Sequence, residues 1–98
     1  MLFSLLLISG CYPAAQVEAN YCGQRVVFDI VVYDAFGRPR LIVELKRDSK
    51  EAKAWVRTRQ CRRYRRFGLT VALVWSMKQA EPLVKLAKSL TSGLVGES

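Results

Sequence analysis

The sequence predicts an α/β domain, a mixed β-sheet flanked by helices, with elements in the order α-β-β-β-α-β-α. Three observations predict it. RVVFDIVVYD (25–34) and RLIVELK (40–46) are rich in β-branched residues and are separated by the short turn AFGR, the pattern of a hairpin. LTVALVW (69–75) is an apolar run of the buried-strand type. Between these two features lies a stretch of helical character, so the last strand is expected to rejoin the sheet by a crossover, parallel to a neighbour.

The elements follow in order. Residues 1–14 form a short apolar segment, helical over 1–10 and broken by Pro13. QVEANYC (16–22) reads as an edge strand, and Gly23 with Gln24 as a tight turn. The hairpin follows, with Pro39 opening its second strand. Ser49 suits a helix N-cap, Glu51 falls in the first turn, and the helix is expected to run to about Arg66, with Gly68 as its C-cap. AEPLVKLAKSL (80–90) is an amphipathic final helix with Pro82 in its first turn. There is no repeat, linker or low-complexity tract, and residues 1–98 are read as a single domain.

Composition narrows the chemistry. The chain has no histidine, which removes Ser-His and Cys-His nucleophile systems and His-ligated metal sites. Its three cysteines, Cys11, Cys22 and Cys61, are widely spaced and form no C-x-x-C pair, so free thiols in a reducing cytoplasm are expected rather than a disulfide framework or zinc ribbon. The formal net charge of +8 favours a polyanionic partner. MLFSLLLISGC ends in a sequence resembling a lipoprotein cleavage box, but it has no basic residue before the apolar run and is too short to span a bilayer. The competing reading is a first helix packed on the sheet, open to clipping by the choice of start codon. A cytoplasmic location is expected.

The hairpin contains charges where a strand should be apolar. If the turn is centred between Phe36 and Gly37, Asp29 lies across from Glu44, and cross-strand partners share a face. Lys46, two residues beyond Glu44, shares it too. Adjacent carboxylates repel unless a cation sits between them. Lys46 supplies part of that charge, and Mg²⁺ (or Mn²⁺) held by Asp29, Glu44 and the Leu45 backbone carbonyl would supply more. A cross-strand Asp–Lys or Glu–Lys pair at a sheet edge is the plainer alternative.

Asp29, a gap of about fifteen residues and then Glu44-Leu45-Lys46 resembles the D…(D/E)-x-K signature of the PD-(D/E)XK nuclease superfamily. DIVVYDAFGRPRLIVELK looks most like the amino-terminal nuclease domain of type I restriction enzyme R subunits, and Gln60-Cys61-Arg62-Arg63-Tyr64 matches the Q-x-x-x-Y motif on the following helix. GCYPAAQVE is similar to the helix end and first strand preceding that core, so the resemblance covers about residues 10–77. It implies a restriction-endonuclease-like fold and metal-dependent DNA cleavage. Asp29 and Glu44 would bind Mg²⁺, Lys46 would handle the water, and Gln60 would support them. It also brings DNA, a homodimer and other restriction-system subunits as partners. Phe28 stands where that family often has Pro, Glu18 is the only acid upstream of Asp29 in these residues, and the 98 residues include no helicase motor.

The helical stretch carries the charge. Ten of the sixteen basic residues lie in 46–66, against two acids, Asp48 and Glu51. Lys53, Arg57, Arg59, Arg62, Arg63, Arg65 and Arg66 are the expected DNA-binding residues. On one continuous helix Ala52, Val56, Gln60 and Tyr64 form the stripe facing the sheet. Gln60 then either reaches the charged patch or sits at the margin of the stripe. Tyr64 is either core or a stacking platform. Because the stripe is needed for the core, a membrane surface is not an expected partner. Two other readings remain: a catalytically silent nucleic-acid-binding module on the same fold, and a small exported basic lipoprotein.

Overall fold

The computed structural model describes residues 1–21, 23–66 and 68–92, and only the backbone of Tyr21, Arg59, Gln60 and Arg63. Its elements are α1 (Leu2–Ile8), β1 (Tyr12–Tyr21), β2 (Gln24–Tyr33), β3 (Pro39–Leu45), α2 (Ser49–Val56), α3 (Arg59–Arg66), β4 (Thr70–Val74), a 3-10 turn (Met77–Gln79) and α4 (Ala80–Thr91). The four strands form one sheet in the order β1-β2-β3-β4. The first three are antiparallel neighbours, and β4 joins β3 in parallel, as a crossover connection dictates. This is a small mixed α/β domain with helices on both faces of a mixed sheet.

Ile30 lies opposite Val43, Val31 opposite Ile42 and Val32 opposite Leu41, the register expected for this part of the hairpin. The turn itself is not where the sequence placed it: Tyr33 pairs with Pro39, which centres the turn on Phe36, and a bulge between Val32 and Tyr33 shifts the ladder by one residue to reach the expected pairing. Asp34 fixes that turn. Its buried carboxylate accepts from the backbone N–H groups of Phe36 (2.9 Å) and Arg38 (3.0 Å) and from Arg38 Nε (3.1 Å). These donors hold the Asp34 carboxyl below the ordinary carboxylate range against the opposing effect of its burial, the Arg38 N–H contributing most. Gly37, at φ +78, supplies the left-handed residue that the turn requires.

The two faces of the sheet carry separate cores. On one, Leu2 and Leu6 of α1 and Leu83 and Ala87 of α4 pack on Ile30, Val32, Leu41 and Val43. On the other, Trp55, Cys61 and Tyr64 of α2 and α3 pack on Val26, Phe28, Val31 and Ile42. Phe28 and Ile30 are two residues apart in one strand, yet they belong to opposite clusters. Strict alternation would keep them together. The ladder passes from Ala15–Ile30 to Val17–Phe28, and between those pairs Gln16 lies at φ +52, opposite Asp29. The face reversal therefore falls at the strand position that carries the first charged residue of the hairpin.

Several sequence expectations need correction. The basic helix is not continuous but breaks at Arg57 and Thr58. There Thr58 turns both its N–H (2.9 Å) and its hydroxyl (2.7 Å) onto the Trp55 carbonyl, and the hydroxyl also accepts from Cys61 N–H at 3.3 Å. Such local bonding by Thr competes with the helical ladder. The break resets the helical phase, so the buried stripe is Ala52, Trp55, Cys61 and Tyr64, while Val56 is 44% exposed. Asp48, not Ser49, caps α2, its carboxylate accepting from Glu51 N–H at 2.8 Å. A carboxylate also complements the positive end of the helix. Gln24 pairs with Tyr21 as the first residue of β2 and is therefore not a turn residue, and β1 begins at Tyr12 with Pro13 inside it. Pro13 is tolerated because β1 is an edge strand.

β4 is also an edge strand, and of its residues only Val74 is fully buried. Its end is closed by Gln79, whose Oε1 accepts from the N–H groups of Trp75 (2.8 Å) and Ser76 (3.0 Å) while Nε2 donates to the Leu73 carbonyl (3.2 Å). One side-chain amide thus does at this edge what a neighbouring strand would do.

Candidate functional site

Asp29 comes from β2, at the reversal of faces just described, Glu44 from the end of β3 and Lys46 from the residue just beyond it. The register that pairs Ile30 with Val43 carries Asp29 to the position opposite Glu44. The ladder does not simply continue there, because the N–H of Leu45 donates to Asp29 Oδ2 at 2.8 Å. One carboxylate oxygen takes the place of a backbone acceptor and fixes the Asp29 side chain against β3. Because N–H and C=O of one strand residue leave on the same side, the Leu45 carbonyl also faces β2.

Glu44 is 4% exposed, and its Oε1 has no hydrogen-bond partner among the described residues. Burial first, then the neighbouring Asp29 charge and a hydrogen bond between the two carboxyls, push its carboxyl up to about 7, with Lys46 and the Asp29 N–H opposing them. At neutral pH Glu44 is therefore divided between the acid and the carboxylate. This is what a low-dielectric site does to one of two adjacent acids.

Lys46 is anchored at its backbone, its N–H donating to the Val74 carbonyl at 2.8 Å. Its ammonium lies over the indole ring of Trp55, 5.1 Å from the centroid. No ion pair within 4.0 Å joins Lys46 to Asp29 or Glu44 among the described residues, although both acids share its face. Trp55, on α2, thus serves both the core and this contact, a role the stripe expected for a continuous helix does not indicate.

Tyr64 is fully buried, which settles it as core and not as a stacking platform. Its ring makes edge contacts with Phe28 (4.7 Å between centroids) and Trp55 (5.4 Å), and its hydroxyl donates to the Val27 carbonyl at 3.1 Å. Of the Q-x-x-x-Y pair, the side chain of Gln60 lies outside the described residues. Those of Arg59 and Arg63 do so as well. Lys53, Arg62, Arg65 and Arg66 on α2 and α3, and Arg57 at the break between them, are exposed and form no ion pair among the described residues. They lie on the helices covering the face that Asp29, Glu44 and Lys46 share. Glu18 is committed to an ion pair with Arg25.

A divalent cation fits this donor set at minimum occupancy. Two adjacent carboxylates, one with an orphaned buried oxygen, and a carbonyl on the same side suit an ion that retains most of its waters. Among the described residues no group of three or more His, Cys, Asp or Glu side chains offers a fuller cage. No helix among them is long and apolar enough to cross a membrane.

The fold and site define a small α/β domain with a two-carboxylate, one-lysine patch beside a basic helical pair. Compared with protein-family models, curated proteins and solved structures, the chain matches none.

Proposed function

We propose that this domain is a restriction-endonuclease-like, PD-(D/E)XK-type nuclease that hydrolyses phosphodiester bonds in DNA with Mg²⁺ or Mn²⁺. The observation that carries the reading is the meeting of Asp29, Glu44 and Lys46 on one face, with Glu44 Oε1 buried and without a hydrogen-bond partner among the described residues. Asp29, Glu44 and the Leu45 carbonyl would hold the cation, which when bound neutralises phosphate charge and eases deprotonation of water. Lys46 presents its ammonium to the phosphate or orients the attacking water. Water oxygen bonds to phosphorus, the bond to the leaving oxygen breaks, and that oxygen takes up a proton. Gln60 supports Lys46 in this reading. The exposed arginines of α2 and α3 hold the phosphate backbone, together with Arg59 and Arg63. Two copies acting on opposite strands, or other subunits of a restriction system, would extend a nick to a double-strand break.

The test is supercoiled plasmid at low salt with Mg²⁺, Mn²⁺ or chelator, and with Glu44→Ala and Lys46→Ala beside the wild type. Cleavage that requires metal and both residues is expected. Binding should weaken with salt, log K falling by about 0.9 per log salt for each phosphate contacted. A second reading, a nucleic-acid-binding module without chemistry, is favoured by the exposed arginines and predicts salt-sensitive binding indifferent to Mg²⁺ and to Lys46→Ala.

A further inference from the structure

We propose that Trp55 is a positioning residue for Lys46, holding its ammonium near the two carboxylates while keeping it off them. The inference deepens the hydrolytic reading above and rests on it. An ammonium on a flexible four-carbon stem, placed on the same face as two acids, is drawn to the nearest carboxylate. Here it is not within ion-pair distance of Asp29 or Glu44 among the described residues, and it stands instead over the Trp55 ring at 5.1 Å. The negative face of an indole is the strongest side-chain platform for a cation. It compensates the ammonium without an ion pair to either acid, so the buried Oε1 of Glu44 is not taken up by Lys46.

The platform is itself fixed. Trp55 is 7% exposed and braced edge-on by Tyr64, whose hydroxyl is tied to the Val27 carbonyl two residues before Asp29. The brace therefore links the strand carrying one acid to the ring beneath Lys46. The backbone of Lys46 is held separately by Val74, so the ring sets only the course of the side chain. Trp55 Nε1 is buried and has no partner among the described residues. Phe at this position keeps a ring face and loses no described hydrogen bond, whereas Met keeps apolar bulk and loses the face.

Trp55→Phe and Trp55→Met are compared with wild type in full-length protein, by steady-state plasmid cleavage and by NMR of the Lys46 side-chain methylenes, assigned with Lys46→Arg. In the wild type the methylenes next to the ammonium should resonate upfield, shielded by the ring. Phe should retain most of that shift and cleave within a few-fold of wild type. Met should abolish the shift and lower kcat about tenfold, the scale of one partly desolvated cation–π contact, with KM unchanged. Unshifted methylenes in wild type, or equal kcat for all three proteins, overturn the inference while leaving hydrolysis standing. If Met does not fold, the wild-type shift and the activity of Phe decide it. Shifted methylenes without cleavage under any metal overturn the hydrolytic reading, and with it any catalytic role for the contact.

Discussion

The N–H of Leu45 donates to Oδ2 of Asp29 across 2.8 Å, where the β2–β3 ladder gives way to side-chain bonding. This bond commits one Asp29 oxygen to holding the strands together and aims the carboxylate at β3. Glu44, the next residue back, is left with a buried oxygen that has no protein partner among the described residues. The two acids are thus unequal by construction: one is a strand clamp, the other a buried group whose charge Lys46 and the Asp29 N–H compensate only in part.

Glu44→Gln should stabilise the protein at neutral pH and above. Below about pH 4.5 Glu44 is protonated in both the folded and unfolded chains and has no effect on stability. Between there and about pH 7 the unfolded chain has released a proton that the folded chain keeps, so stability falls as pH rises, and above about 7 the loss is constant. The full penalty is as much as ~3 kcal/mol. Urea melts of wild type and Glu44→Gln at pH 5 and pH 8 test this: the gap between them should open with pH. A gap that is equal at both values would mean that Glu44 titrates normally.

The hairpin was legible in the sequence because three local signals agree: β-branched runs on both sides, a Gly in the turn, and charged residues spaced for one face. Asp34 holds the turn with its own carboxylate, and the bulge between Val32 and Tyr33, which no local signal marks, restores the pairing that the spacing suggests. The helices were legible as helices but not in phase. Nothing in the string marks Thr58 as a break, because its hydroxyl wins the Trp55 carbonyl only in competition with the next turn of helix. The break sets the phase of α3 against α2, so that Cys61 and Tyr64 join Trp55 on the buried side. Gln16 carries no signal either: its left-handed φ belongs to the paired strands, which reverse their faces together, and not to glutamine. The shared face of Asp29, Glu44 and Lys46 could therefore be read from spacing, while the ring beneath Lys46 could not.

Tyr64→Phe should destabilise by about 1 kcal/mol, the usual net value of a hydrogen bond of the kind its hydroxyl gives to Val27. Tyr64→Ala should cost ~3–5 kcal/mol, because the ring is wholly buried between Phe28 and Trp55 and its loss leaves a cavity. Denaturant unfolding measures both. A Phe variant as unstable as the Ala variant would mean that the hydroxyl, not the ring, carries the contribution of Tyr64 to the fold.

Binding of Mg²⁺ or Mn²⁺ should strengthen with pH up to about 7 and release a proton, because Glu44 must give up the proton it shares at neutrality before both its oxygens can act as ligands. Titration calorimetry in two buffers of different ionisation enthalpy at pH 6.5 should give a positive proton release, falling toward zero by about pH 8.5. Thermal stabilisation by the cation should follow the same course, since a ligand bound only by the folded chain raises its stability by mass action. Glu44→Gln should remove both effects, and Asp29→Asn should weaken binding while also loosening the clamp on Leu45. Cation binding with no proton release at pH 6.5 would place the ion elsewhere than on Glu44.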